Sequence, residues 1–156
     1  MKENPFVFAA ADIRQKGKIE VSPEITAEDF ADAFPGRDVI RKISADICLQ
    51  MAGEDIVLTG NVKAELVFEC SRCGEPAVKV FSDSFDEYYP NSVEYINVRE
   101  NIRETVSLME PMKVLCSENC KGRCPQCGAD LNKKKCSCVQ EKASPFAALK
   151  NFRPKN

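Results

Sequence analysis

The most regular stretch of the chain alternates apolar and polar residues. Ile43, Ala45, Ile47, Leu49 and Met51 alternate with Ser44, Asp46, Cys48 and Gln50, the period of two that marks a half-buried strand. Ala52-Gly53-Glu54-Asp55 reads as a hairpin connection. Beyond it Ile56, Leu58, Val62, Ala64, Leu66, Phe68 and Cys70 share one face, opposite Asn61, Lys63, Glu65 and Glu69. Gly60 interrupts this long strand and predicts a bulge or bend. After Cys70-Ser71-Arg72-Cys73-Gly74 the chain returns as a strand over 77–85, completing an antiparallel meander with one wet face. Tyr95 to Val98 predicts one more strand.

The flanks are less periodic. Residues 6–10 and 18–21 read as short strands around a turn-like QKGK. The segment TAEDFADAFPG predicts a short helix, with Thr26 as N-cap, acids in the first turn, Phe30 and Phe34 on one face, and Pro35-Gly36 as the stop. A second helix is predicted over 101–110. There Asn101 and Glu104 have the spacing of a capping box, and Ile102, Val106 and Met109 form the packing face with Leu108 beside it. A third helical pattern, SPFAALKNF at 144–152, has Ser144 as cap, Pro145 at the first position, and Phe146, Leu149 and Phe152 on one side. The expected fold is α+β. It is an antiparallel β-meander, open or partly closed into a barrel, with a packed helix and a Cys-rich C-terminal extension. The division expected is a sheet domain over 1–112 and a basic module over 113–156 that shares Cys70 and Cys73 with it.

Length and composition add limits. The chain has 156 residues, 44% hydrophobic and 29% charged, which suits a single core with a small appendage. No apolar run approaches the roughly 20 residues a membrane span needs, and the apolar stretch from Phe6 to Ala11 is too short for a secretory signal. A reducing, cytoplasmic location is therefore expected, where clustered cysteines bind metal more often than they form disulfides. The net charge of −2 conceals a split: residues 1–110 hold 12 Lys/Arg and 21 Asp/Glu, residues 111–156 hold 10 Lys/Arg and 3 Asp/Glu. A basic tail on an acidic body points to contact with a polyanion.

The cysteines change the picture most. Eight of the nine fall into four close pairs, Cys70/Cys73, Cys116/Cys120, Cys124/Cys127 and Cys136/Cys138, with Cys48 alone on a strand. The two C-x₂-C pairs are each followed by Gly, which permits the positive φ of a turn that presents two sulfurs to one ion. Four thiolates make a closed structural zinc site with no open position for substrate. The expectation is one or two structural zinc ions. Local spacing favours Cys124, Cys127, Cys136 and Cys138 as one site, with Cys70, Cys73, Cys116 and Cys120 as the other. A rival grouping joins Cys116/Cys120 to Cys124/Cys127 and leaves Cys70/Cys73 to meet Cys136/Cys138. Iron–sulfur ligation uses the same residue type; a redox dithiol is disfavoured because neither C-x₂-C lies in a βαβ pattern. The energetic argument is that a tail with few apolar residues cannot order itself by burial, whereas structural zinc contributes on the order of 10 kcal/mol or more.

The strings CSRCGEP at 70–76, LCSENCKGRCPQCGADLNKKKCSC at 115–138 and the closing SPFAALKNF resemble the bacterial YceD family, that of the large ribosomal RNA subunit accumulation protein. The resemblance spans about residues 15 to 152 and is most specific in the CKGxCPxCGxxLN string. It implies a bacterial cytosolic or plastid protein linked to processing or accumulation of large-subunit ribosomal RNA, with no catalytic activity established. Some relatives keep the first C-x₂-C and lack most of the later cluster, which fits a split of 70/73 and 124/127 between sites. Many relatives carry leucine where this chain has Arg123.

Three functions follow from these features. The first is a non-catalytic ribosome-biogenesis factor that binds large-subunit RNA or a pre-ribosomal particle through phosphate contacts of Arg72, Lys121, Arg123, Lys133, Lys134 and Lys135. The cluster has no aromatic residue, which suits phosphate and shape recognition better than base stacking. The second is a protein adaptor that docks a basic ribosomal protein on an acidic sheet surface around Asp83, Asp86 and Glu87. The third, an enzyme, has least support: the chain has no histidine, no phosphate-cradling Gly loop and no carboxylate pair at metal-site spacing. Neither a membrane nor a small-molecule substrate is expected.

Overall fold

The structure is a computed structural model, and it describes residues 4–138. The meander forms where the alternation placed it. β3 (Ile40–Ala52), β4 (Asp55–Glu69) and β5 (Pro76–Tyr89) are consecutive antiparallel strands, joined by a turn at Gly53-Glu54 and by the loop that holds Cys70 and Cys73. β2 (Lys18–Val21) adds to the β3 edge, giving the order β2-β3-β4-β5. Among the described residues this sheet is open, with β2 and β5 as its two edges, so the partly closed barrel does not form. A two-stranded ribbon pairs β1 (Val7–Ala9) with β6 (Tyr95–Asn97).

One face of the sheet carries the core. Ile47, Leu49, Leu58 and Val62 pack there with Ile13, Phe30, Phe34, Ile102 and Val106, all almost fully buried. Their helices are α1 (Ala10–Lys16), a 3₁₀ segment (Glu28–Ala33) and α2 (Arg99–Leu108).

Several local expectations are corrected. The QKGK sequence is not a turn between two paired strands. It ends α1, and the strands on either side pair with β6 and β3 rather than with each other. With only Ala10 and Ile13 buried, seven residues show too little periodicity for a helix to be read. The TAEDFADAFPG segment is 3₁₀, capped by Ala27 and kinked at Phe30. Thr26 does not cap it through its hydroxyl. Instead Asp29 accepts both the Thr26 N–H and Oγ1–H, each at 2.8 Å. α2 begins at Arg99, two residues before the capping box expected at Asn101, and the Arg99 N–H donates to Asn97 Oδ1. Leu108, read as lying beside the packed face, is 80% exposed.

Gly60 is not a bulge. Pairing runs through it without a register shift, Ile47 on one side and Phe85 on the other. The Phe85 ring lies over its Cα, and a Cβ built at Gly60 would stand 2.3 Å from Phe85 Cζ. Glycine here makes a slot for an aromatic ring. The helical pattern at 144–152 lies outside the described residues.

Candidate metal centres

The first C-x₂-C sits in the β4–β5 connection. Cys70 directly follows β4, its N–H donates to the Glu75 carbonyl at 2.8 Å, and the Gly74 N–H returns to the Cys70 carbonyl at 2.8 Å. The second repeats this wiring: the Cys124 N–H donates to the Ala129 carbonyl at 2.8 Å and the Gly128 N–H to the Cys124 carbonyl at 2.9 Å. Both glycines have the positive φ that closes such a turn without a Cβ clash, 73° at Gly74 and 72° at Gly128. The two segments are thus the same structural knuckle used twice.

The other pairs come to these knuckles by different routes. After α2 the chain is pinned to the first knuckle by Ser71 N–H to the Val114 carbonyl at 2.8 Å, and by Val114 N–H to Ser71 Oγ at 3.3 Å. That delivers Cys116 and Cys120 to Cys70 and Cys73. The second knuckle collects Cys136 and Cys138 from its own loop, in which Asp130 Oδ1 accepts from both the backbone and the side-chain nitrogen of Asn132 at 2.9 Å. The sulfurs therefore gather as Cys70, Cys73, Cys116 and Cys120, and as Cys124, Cys127, Cys136 and Cys138, each set within 4.8 Å of one another. This is the grouping that local spacing favours; the rival grouping is not what the chain adopts.

The geometry fits a metal. All nine cysteines are free thiols. Cys70 and Cys120 sulfurs stand 3.8 Å apart and Cys73 and Cys116 sulfurs 3.6 Å, close to the edge of about 3.8 Å of a tetrahedron with metal–sulfur bonds of about 2.3 Å. Charge distribution agrees. The Cys70 thiol is held down to about 6, chiefly by the Cys116 N–H, then by those of Arg72 and Cys73, against burial. The Cys124 thiol is held down to about 6 by the N–H groups of Cys127 and Gln126. Cys120 is lowered, first by the Asn132 amide. Their neighbours go the other way. At Cys73 the Glu75 N–H favours the thiolate, but burial and the surrounding sulfurs of Cys70, Cys116 and Cys120 outweigh it and push the thiol up to about 12. Cys138 is pushed up to about 12 by Cys127 and by burial, and Cys116 and Cys136 are raised by Cys120 and Cys124 respectively. Without a cation four clustered thiols cannot all ionise; a bound divalent ion removes that conflict.

The two centres are braced to each other. Arg72, between the first two ligands, donates to the Cys120 carbonyl at 2.8 Å and accepts the Arg123 N–H on its own carbonyl at 3.2 Å. The Arg123 side chain donates back to the Cys73 carbonyl and stands 3.6 Å from Glu75, which also meets Lys133 at 3.1 Å. A bridge joins Arg123 to Asp130, whose buried Oδ2 has no hydrogen bond and faces the Lys133 ammonium at 3.5 Å. Of the six basic residues named from sequence, Arg72, Arg123 and Lys133 therefore have intramolecular partners. Lys121, Lys134 and Lys135 are exposed with no ion pair from their side chains among the described residues. Glu75, Asn132 and Ser71 are working parts of this frame to which the sequence assigned no role; Asn132 closes the CKGxCPxCGxxLN string and Glu75 follows the first knuckle's Gly. Cys48 lies apart on β3.

The fold and its cysteines define an α+β protein with two braced four-cysteine centres that could each hold a metal ion. Residues 87–153 match the model of a family described as large ribosomal RNA subunit accumulation protein YceD. It is 39% identical over 67 residues to the chloroplastic large ribosomal RNA subunit accumulation protein YCED homolog 1 of Arabidopsis thaliana, a match covering 42% of this chain and 21% of that protein. It is 29% identical over 106 residues to an uncharacterized protein of Mycobacterium tuberculosis, covering 57% of this chain and 51% of the relative. A maize YCED homolog 1 is 31% identical over 64 residues, 40% of this chain and 22% of that protein. The chain thus spans between about a fifth and a half of the length of these relatives. No solved structure matches. Among the described residues no helix is long and apolar enough to cross a membrane.

Proposed function

We propose that the chain is a non-catalytic factor in biogenesis of the large ribosomal subunit, that zinc fills both cysteine centres, and that the framed basic loop contacts ribosomal RNA phosphates. The family description supports the biological role. Four-thiolate donor sets with no open position support a structural metal rather than a reacting one, and the absence of histidine from the sequence leaves no side chain that ordinarily titrates near neutral pH.

The observation that carries the RNA reading is the division of labour in the loop. Arg72, Arg123 and Lys133 are spent on the frame, while Lys121, Lys134 and Lys135 project from it. A hydrogen-bonded frame holding ammonium groups that have no ion pair among the described residues favours phosphate contact, because little conformational freedom is lost on binding. The test is binding of the zinc-loaded protein to large-subunit ribosomal RNA across a salt series. Replacing Lys121, Lys134 and Lys135 by Gln should flatten log K against log salt by roughly 2 to 3 units of slope. An unchanged slope would reject the loop as the contact. Retention of ribosomal proteins after nuclease treatment, with no RNA affinity, would favour the adaptor reading instead.

A further inference from the structure

The outer edge of β5 runs for 14 residues, Pro76–Tyr89, and pairs with β4 without a register break. No described strand pairs with its other side. Two observations show which backbone groups that side presents. The Val67 N–H points to the β3 side, donating to the Val39 carbonyl at 2.8 Å, so the even-numbered residues of β4 face β5 and meet its odd-numbered residues. The Ser84 N–H leaves the ladder altogether and donates to the Asp83 carboxylate at 2.8 Å. By alternation, Val78, Val80, Ser82, Ser84, Asp86 and Tyr88 direct their N–H and C=O groups to the free edge. Sheet edges of this length are normally shortened, bulged or covered.

We propose that β5 pairs antiparallel with β5 of a second copy of this chain about a twofold axis at Asp83, joining the two sheets into one. The side chains select the occupant and the register. With Asp83 opposite its own copy, the hydrogen-bonding residues meet as Val78 with Tyr88, Val80 with Asp86 and Ser82 with Ser84. On the other face Lys79 meets Glu87, Phe81 meets Phe85, and Ala77 meets Tyr89, each pair occurring twice. Sliding by two residues in one direction sets Lys79 against Phe85 and Phe81 against Asp83. Sliding the other way sets Phe81 against Glu87 and Asp83 against Phe85. Of these three registers only the first puts opposite charges and aromatic rings together, and a slide of four, which sets Phe81 against itself and Lys79 against Asp83, shortens the paired stretch from 77–89 to 76–86.

The core supports this arrangement. Phe81, Phe85 and Tyr89 lie against it yet stay only partly buried, while Lys79, Asp83 and Glu87 beside them are exposed. Val80 and Tyr88, on the opposite face, are 58% and 68% exposed. A second β5 would cover these aromatics and the apolar edge residues. One contact works against it: the two Asp83 side chains face each other on the axis, with Cβ atoms about 4.5–5.5 Å apart. The dimer is therefore a dissociable one.

Sedimentation velocity of the full zinc-loaded chain from micromolar to millimolar concentration tests the proposal. A concentration-dependent monomer–dimer equilibrium is expected. Asp83→Asn should tighten it and Lys79→Glu weaken it, each on the order of tenfold, with Lys79→Glu/Glu87→Lys restoring it. Ser82→Pro removes an outward N–H that an edge strand can spare, and should leave a folded monomer by circular dichroism. Because Asp83→Asn is a gain, the proposal does not depend on a variant that loses its fold. A monomer at every concentration overturns it, as does a dimer indifferent to Asp83→Asn and to the charge swap. A wild-type monomer that binds a basic extended peptide, lost in Ser82→Pro, would assign the edge to another protein and overturn self-pairing.

Discussion

The side-chain amide of Asn132 donates to the sulfur of Cys120, 3.4 Å away, while its oxygen accepts the Lys121 N–H at 2.8 Å. Asn132 belongs to the loop between Cys127 and Cys136, whereas Cys120 belongs to the other cysteine set. One residue of the second centre therefore supports a thiolate of the first.

Partners of this kind commonly govern metal affinity by about 10–100-fold. Asn132→Ala should weaken zinc at the Cys70 centre by about that factor, with Asn132→Asp worse because it sets a carboxylate beside a thiolate. Competition with a chromophoric chelator measures it. Affinities indistinguishable from wild type would show that the contact supports nothing.

The bracing is directional. The first centre grows from the ends of β4 and β5, whereas the second has no strand of the core beneath it and leans on the first through Arg123 and Gly122, whose position abuts the Arg72 carbonyl. Cys124→Ser should lose one ion per chain and weaken the other by no more than loss of the Asn132 contact does. Cys70→Ser should lose its own ion and loosen the second. Metal content per chain, before and after mild chelation, reads both results, and symmetrical losses would refute the order of support.

Gly60 and Phe85 make a separate, metal-independent prediction. A methyl group at Gly60 would have to displace a ring whose nearest atom lies 2.3 Å away. Gly60→Ala should cost about 1–3 kcal/mol in urea unfolding, and Phe85→Leu in the same chain should recover part of it. A neutral Gly60→Ala would mean that the ring moves aside freely.

Acid should weaken the clamp between the 3₁₀ segment and α2. Arg99 holds Asp32 at 2.8 and 3.2 Å, reaches the Asp29 carbonyl at 2.7 Å, and lies over the Phe30 ring. The Asp32 carboxyl is lowered below its ordinary 3.8 by the hydrogen bond from Arg99. A carboxylate whose folded value is depressed stabilises the fold above its unfolded value, and that contribution is lost as pH falls through the folded one. Asp32→Asn should therefore be less stable than wild type at pH 7, with the gap closing as the pH drops below about 4. Urea midpoints at the two pH values decide it; a gap that persists in acid would assign the loss to something other than the charge.

The meander was legible because strand alternation is local: Ile43 to Met51 and Ile56 to Phe68 declare their buried face without reference to anything else in the chain. The eight paired cysteines were legible as metal ligands for the same reason, since spacing and a following Gly are written into a few consecutive residues. Weak local signals misled. The capping-box spacing at Asn101 and Glu104 fell inside a helix that starts at Arg99, and Thr26 gave its hydroxyl to Asp29 instead of a helix end.

What the sequence by itself determined is thus the strands, the wet and dry faces, and the sulfur chemistry, all of which depend on neighbours within a turn or two. Only the tertiary structure decided which cysteine pairs share a centre, that Arg72 and Arg123 serve as struts, and that Gly60 houses a ring. The first two depend on where the β4–β5 connection meets the segment after α2, and the third on the pairing of β4 with β5. Chain separation of forty or more residues leaves no periodic trace, because contact there is set by the packing of whole elements and not by the order of side chains.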